Sequence, residues 1–197
     1  MDGRLAKGAE TRRTTLRRAA EIASVEGLDG LTIGRLAAEL ELSKSGIFAH
    51  FGSKEDLQLA VLDFARQVFV EHVLTPALTV ERGLPRLTAL YNRWIDYSRS
   101  RVFPGGCFFA SAAAEFDARD GRVHDAVVEG FTRWMDVLTS VITQAVTLGH
   151  LHKDTDIPQL AFELDALIRA ANSTSVLTGD HSAYDRAIAG IEARLRR

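Results

Sequence analysis

The 197 residues carry 24 Lys and Arg against 26 Asp and Glu, a net charge of −2, so the basic signature that marks many nucleic-acid-binding proteins is absent from the chain as a whole. Only four prolines amid abundant Ala and Leu argue against a strand-rich fold, and the single cysteine, Cys107, excludes an intramolecular disulfide or a multi-cysteine zinc site. No stretch approaches the roughly 18 uninterrupted apolar residues of a membrane span, and MDGRLAKGAE lacks the apolar core of a signal peptide, so the expectation is a soluble cytoplasmic protein with no membrane partner, cofactor or metal.

The spacing of apolar residues predicts an all-α fold of about nine helices. The first runs from about Glu10 to Glu26, with Leu16, Ala19, Ala20 and Ala23 on one face, arginines on the other, and Gly27 as a left-handed stop. Thr32 is placed to cap a second helix whose stripe is Ile33, Leu36, Ala37 and Leu40. Glu41-Leu42-Ser43 then makes a tight turn, and Ser43 caps a third short helix from Lys44 to about His50. After Gly52, the run Ser53-Lys54-Glu55-Asp56 resembles a capping box and opens a long helix striped by Leu57, Ala60, Val61, Phe64, Ala65 and Val68 until Pro76 ends it. A fifth helix carries Leu87, Leu90, Tyr91, Trp94 and Ile95, and Pro104-Gly105-Gly106 terminates the segment after it. Four more helices are expected at about 107–117, 121–148, 156–178 and 182–196.

Charge is unevenly distributed along these elements. Residues 1–54 hold nine Lys and Arg against seven acids, Asp2, Arg4 and Lys7 among them, and the rest of the chain holds 15 against 19. A basic head on an acidic body approaches DNA head first, because the phosphates attract one part and repel the other. The head also has the parts of a helix-turn-helix, namely a supporting helix, a sharp turn, and a second helix beginning with small and polar residues that can reach base edges. In TIGRLAAELELSKSGIFAHF, Ile33, Leu36, Ala37, Leu40, Leu42, Ile47 and Phe51 form the shared core and leave Lys44, Ser45, Gly46, Ala49 and His50 outward. Helix N-termini at Thr32, Ser43 and Ser53 add backbone N–H groups suited to phosphate.

The patterns L-T-I-x-R-L-A, S-K-S-G-I-F-A-H-F and S-K-E-D-L resemble the tetracycline-repressor-like (TetR/AcrR) family across about residues 11–60. Beyond that the resemblance is confined to the helical plan and the phrase G-H-L-H-K-D-T-D-I-P-Q-L-A. It implies a DNA-binding transcriptional regulator rather than an enzyme, built from a head at 1–55 and a ligand-binding and dimerisation body at 56–197. Thr32, His50 and Lys54 are then implied phosphate contacts, and Lys44, Ser45 and Gly46 implied groove contacts. Arg35, Phe48 and Ala49 complete the candidate set. Phe48 departs from the tyrosine common in the family; it lacks the hydroxyl, a loss of about 0.5–1.5 kcal/mol for one neutral hydrogen bond, and is expected to pack on the sugar-phosphate edge or on neighbouring helices.

For the body, the resemblance implies a homodimer that sets two recognition helices on a near-palindromic operator. Leu160, Leu164, Leu167, Ile168 and Ala171 with Tyr184, Ile188, Ile191 and Leu195 are the expected interface, the alternative being an intramolecular core. The family also implies a pocket for a small hydrophobic inducer, with Phe64, Tyr91, Trp94, Phe108, Glu115, His124, Phe131 and Trp134 as candidate lining. Cys107 is expected to be buried filler rather than a sensor, and His150 and His152 to belong to a polar loop rather than a metal site. Competing readings are a helical carrier or enzyme with a vestigial helix-turn-helix, and a transcriptional activator.

Overall fold

A computed structural model describes residues 2–196, with side chains from residue 10 onward; the side chains of Asp2, Arg4 and Lys7, counted in the charge of the head, lie outside the described residues. Every regular element among the described residues is helical: α1 (Asp2–Glu26), α2 (Ile33–Glu39), α3 (Lys44–Phe51), α4 (Lys54–Phe69), a π-helical turn (Val70–Leu74), α5 (Thr75–Leu78), α6 (Leu84–Arg99), α7 (Phe108–Phe116), α8 (Arg122–Thr147), α9 (Ile157–Thr178) and α10 (Ser182–Leu195). With Lys54–Leu78 counted as one rod, the described residues make nine helices.

The boundaries follow local chemistry. Gly27 supplies the left-handed φ of +85° that stops α1. Asp156 caps α9 by accepting the Gln159 N–H at 3.0 Å, and Gly179 ends that helix in the left-handed region. Two expectations are corrected. α1 starts at Asp2 rather than near Glu10, since no proline or cap interrupts the segment. Pro76 does not end the fourth helix: the backbone widens first, with the Thr75 N–H bonded to the Val70 carbonyl, and the helix continues through Leu78 with Pro76 just after this π turn.

The chain packs as two compact units, one comprising 1–67 with 103–128 and the other 68–102 with 129–197. Most of α4, and α7 with the segments flanking it, therefore pack with the helix-turn-helix, which no local pattern revealed. In the first unit Leu16, Ala19, Ala20, Leu28, Leu31, Leu36, Ile47 and Leu57 are buried, together with Cys107. In the second, α6 packs against α9, and α9 and α10 form an antiparallel pair.

The second unit contains a buried polar seam. The Ser98 hydroxyl donates to Asn172 Oδ1 at 2.7 Å and lies 2.7 Å from the Tyr184 hydroxyl, while Arg101 Nη2 donates to the Ser175 carbonyl at 3.0 Å and hydroxyl at 2.9 Å. Nearby in sequence, Trp134 Nε1 donates to Asp165 Oδ1 at 2.9 Å, and Arg169 stands 3.6 Å from the same carboxylate. Burial pushes the Asp165 carboxyl above the ordinary aspartate range despite both partners. The folded chain thus holds this proton more tightly than the unfolded one. The stability penalty of ionisation is absent below the unfolded pKa of about 3.9 and grows as pH rises through the folded value. Asp165→Asn retains an acceptor for Trp134 and removes the charge, so its thermal midpoint relative to wild type is expected to be higher at pH 7 than at pH 4. A gap that moved the other way would show that burial does not penalise the ionised form.

Candidate nucleic-acid interface

The helix-turn-helix is built from caps inward. Thr32 Oγ1 accepts the Arg35 N–H at 3.0 Å, and Ser43 Oγ accepts the Gly46 N–H at 3.1 Å. Between them the turn closes by two backbone bonds, Glu41 N–H to Ala38 O at 3.4 Å and Leu42 N–H to Ala37 O at 3.0 Å, with Glu41 at φ +54° in the place glycine usually takes. Leu36, Ala37, Ile47 and Phe51 are buried as expected. Leu42 is a correction, being half exposed, because the left-handed Glu41 swings the chain outward before Ser43. At the start of α4 the Ser53 hydroxyl accepts the Asp56 N–H at 3.0 Å and donates to the Asp56 carboxylate at 2.7 Å, which lowers the Asp56 pKa.

Burying Ile47 and Phe51 turns the rest of α3 outward. Lys44, Ser45, Gly46, Phe48, Ala49 and His50 are all exposed, as are Thr32 and Lys54. Phe48 is 56% exposed, an apolar ring presented to solvent beside a cationic residue and two hydroxyls. The Lys44 stem lies against Gly34, where a Cβ would come within 3.3 Å of Lys44 Cε.

Two candidate contacts are already engaged within the protein. Arg35 reaches the Glu26 carboxylate through Nε and Nη2, the latter at 2.7 Å, and Glu39 through Nη1 at 2.8 Å. Glu39 also bonds Arg18, so the charges of α1 and α2 form one network that lowers the pKa of Glu26 and Glu39 and raises that of Arg35. Arg35 thus braces α2 on α1. Lys54 donates to Asp29 at 2.8 Å, and Asp29 also meets Arg119 at 3.0 Å. The Lys54 pair is exposed and exchangeable, so Lys54 stays available to an anion.

Phe64, Phe108, Glu115 and His124 belong to the first unit, Tyr91, Trp94, Phe131 and Trp134 to the second. Phe64, Phe108, Tyr91 and Trp94 are core side chains, Phe131 is 42% exposed beneath the Arg169 guanidinium, and His124 pairs with Asp125 on the surface. Glu115 is committed to backbone N–H groups of Leu28 and Asp29. What the second unit does contain is a cleft of about 470 Å³ lined by His72, Arg93, Asp96, Tyr97, Arg99 and Ser100. Its wall is backed by aromatic packing, Tyr97 edge-on to Phe69 at 5.5 Å and Phe69 edge-on to Trp134 at 5.7 Å. Sequence reasoning missed it because Arg93, Asp96 and Ser100, three and four residues apart on α6, read as an ordinary solvated face.

The residues expected at the dimer interface are buried or half-buried in the single chain. Leu160, Leu164, Ile168, Ala171, Tyr184 and Ile191 are buried in the core of the chain, and Leu167, Ile188 and Leu195 are half-buried. On the opposite side of α9 stand Phe162, Ala166, Ala170, Ser173 and Leu177, all exposed, with Leu177 at 86%. Their spacing of four, four, three and four residues keeps them on one stripe about 22 Å long.

His150 and His152 lie in the turn before α9. His150 Nδ1 accepts the Leu84 N–H at 3.1 Å and so caps α6, while His152 pairs with Asp154. No helix among the described residues is long and apolar enough to cross a membrane.

Residues 16–61 match the family model described as bacterial regulatory proteins, tetR family, and residues 83–191 match the model of the tetracyclin repressor-like C-terminal domain. The HTH-type transcriptional regulator SrpR of Pseudomonas putida is 24% identical over 152 residues, which cover 77% of this chain and 68% of that protein. Among solved structures, a TetR transcriptional regulator from Chloroflexus aurantiacus superimposes with a TM-score of 0.89 at 23% identity, covering 98% of this chain and 97% of that one. A TetR-family regulator from Streptomyces coelicolor gives 0.80 at 27% identity over 95% of both chains. AibR, solved in complex with isovaleryl coenzyme A and operator DNA, gives 0.75 at 19% identity over 92% of this chain and 96% of its own.

Proposed function

The chain belongs to the tetR family of bacterial transcriptional regulators, and from that premise we propose that it is a homodimeric repressor, released from its operator by a small apolar ligand. The exposed face of α3 carries this reading: Lys44, Ser45, Gly46, Phe48, Ala49 and His50 stand outward on a helix whose opposite side is fixed by Ile47 and Phe51. Lys44, Ser45 and Gly46 enter the major groove, Thr32, His50 and Lys54 meet phosphates, and Phe48 and Ala49 pack along the groove wall. Arg35 acts from behind, holding α2. Residues 1–55 form this reading head, and 56–197 supply ligand binding and dimerisation.

A second copy would meet the stripe Phe162–Leu177 of α9, where small residues at Ala166 and Ala170 permit close approach. The resulting two-fold axis sets two α3 helices on successive major grooves, about 34–36 Å apart on a near-palindrome. The inducer sits in the second unit, with the cleft lined by His72 and Tyr97 as its candidate seat; about 470 Å³ lies within the usual range for small-molecule sites. A ligand that prefers the DNA-incompetent state shifts the population by its differential affinity, and no catalysis is needed. The setting is the bacterial cytoplasm, where operator DNA is.

Selection of bound duplexes from a random library at about 0.15 M salt tests the reading. Wild type is expected to enrich a near-palindrome. Lys44→Ala should lose roughly 5- to 100-fold in affinity for it, the range for one groove contact. A folded wild-type protein that enriched nothing would overturn operator binding and favour a ligand carrier.

A further inference from the structure

The loop that delivers α2 and α3 is held by one carboxylate from the middle of the chain. Glu115, in the last turn of α7, accepts the Leu28 N–H through Oε2 and the Asp29 N–H through Oε1, each at 2.7 Å. Gly27 makes room: its φ is +85°, and a Cβ there would lie 3.0 Å from Glu115 Oε1. Gln58 on α4 holds the same loop by donating to the Leu28 carbonyl at 2.8 Å. Leu28 is 1% exposed, so water cannot readily replace the partner of its N–H. Three residues later Thr32 caps α2, so whatever fixes Leu28 and Asp29 fixes where the recognition helix starts.

Glu115 lies on a stretch, 103–128, that leaves the second unit at residue 102 and returns to it at 129. Glu115 and the loop it grips belong to the same compact unit, although 86 residues of sequence separate Glu115 from Asp29. A charge-assisted pair of bonds is stronger and more directional than neutral ones, which suits a rigid connection rather than a sliding contact. We propose that Glu115 is a positioning residue that sets the pose of the helix-turn-helix, and through it the half-site spacing that the dimer accepts. This rests on the operator-binding reading above.

The test uses full-length protein and the duplex that wild type selects, remade with the half-sites one base pair closer or farther. One base pair moves a half-site by about 3.4 Å and turns it roughly 34° about the DNA axis, more than a rigid dimer absorbs. Wild type is expected to lose about tenfold or more at either altered spacing, and Glu115→Ala to discriminate by less than about threefold. Glu115→Gln, which keeps the shape but aims an NH₂ at one of the two donors, should fall between them. Leu138→Ala, a buried site in the second unit, lowers stability but should leave the spacing preference at the wild-type value. If Glu115→Ala does not fold, Glu115→Gln carries the test alone. A folded Glu115 variant with the wild-type spacing profile overturns the proposal while operator binding stands; a wild type that selects no duplex overturns both.

Discussion

Placing glutamate at both Phe162 and Leu177 is expected to yield a folded monomer whose affinity for the palindromic operator is about 10²- to 10⁴-fold lower than wild type, the range of avidity lost when two linked sites become one. Both side chains are exposed in the single chain, at 65% and 86%, so the charges cost the fold of one copy little. In the assembled dimer they would be buried opposite like charges near a two-fold axis, where unpaired carboxylates are strongly disfavoured. Sedimentation equilibrium and circular dichroism separate the possibilities. A double variant that remains dimeric and binds normally would place the dimer interface elsewhere than this face of α9.

Gly105→Ala is expected to destabilise the chain by about 3 kcal/mol, which for a protein of this size lowers the thermal midpoint by roughly 6–12 °C. The cause is contact rather than torsion. A Cβ at Gly105 would overlap the backbone carbonyl oxygen of Ser24 in α1, which cannot rotate away as a side chain would. The Gly105 N–H also donates to Ser24 Oγ at 3.1 Å, so the segment cannot retreat without losing that bond. Gly149→Ala is the contrast. That glycine has φ +72° and nothing within 4 Å of a Cβ, so only the left-handed backbone is penalised, at about 1 kcal/mol. Equal midpoints for the two variants would mean that the 103–107 segment does not press on α1.

The helices of this protein were legible because their signals are local. Thr32, Ser43 and Ser53 cap the helices they were expected to cap, and Gly27 stops α1 with a positive φ. The outward face of α3 was equally readable, since burying Ile47 and Phe51 leaves the intervening residues nowhere else to point. Pro76 misled because the sequence shows the missing donor but not the π turn that accommodates it.

Partnership between distant segments was not legible. A stripe such as Leu160, Leu164 and Ile168 states that a helix buries one face, and says nothing of whether the covering element is the same chain or a second copy; the packing of α6 and α10 on α9 decided that, and left Phe162, Ala170 and Leu177 outside. Arg35 and Glu115 share the same ambiguity. A charged side chain in sequence fits a ligand, a phosphate or solvent alike, and only the folded chain brings Glu26 to Arg35, and the backbone of Leu28 and Asp29 to Glu115. The sequence by itself determined the all-helical class, the capped helix ends and the helix-turn-helix, because capping, periodicity and turn chemistry act within a few residues. Tertiary structure alone decided which apolar faces stay exposed and which charges are taken, because both depend on contacts across tens of residues that no local pattern encodes.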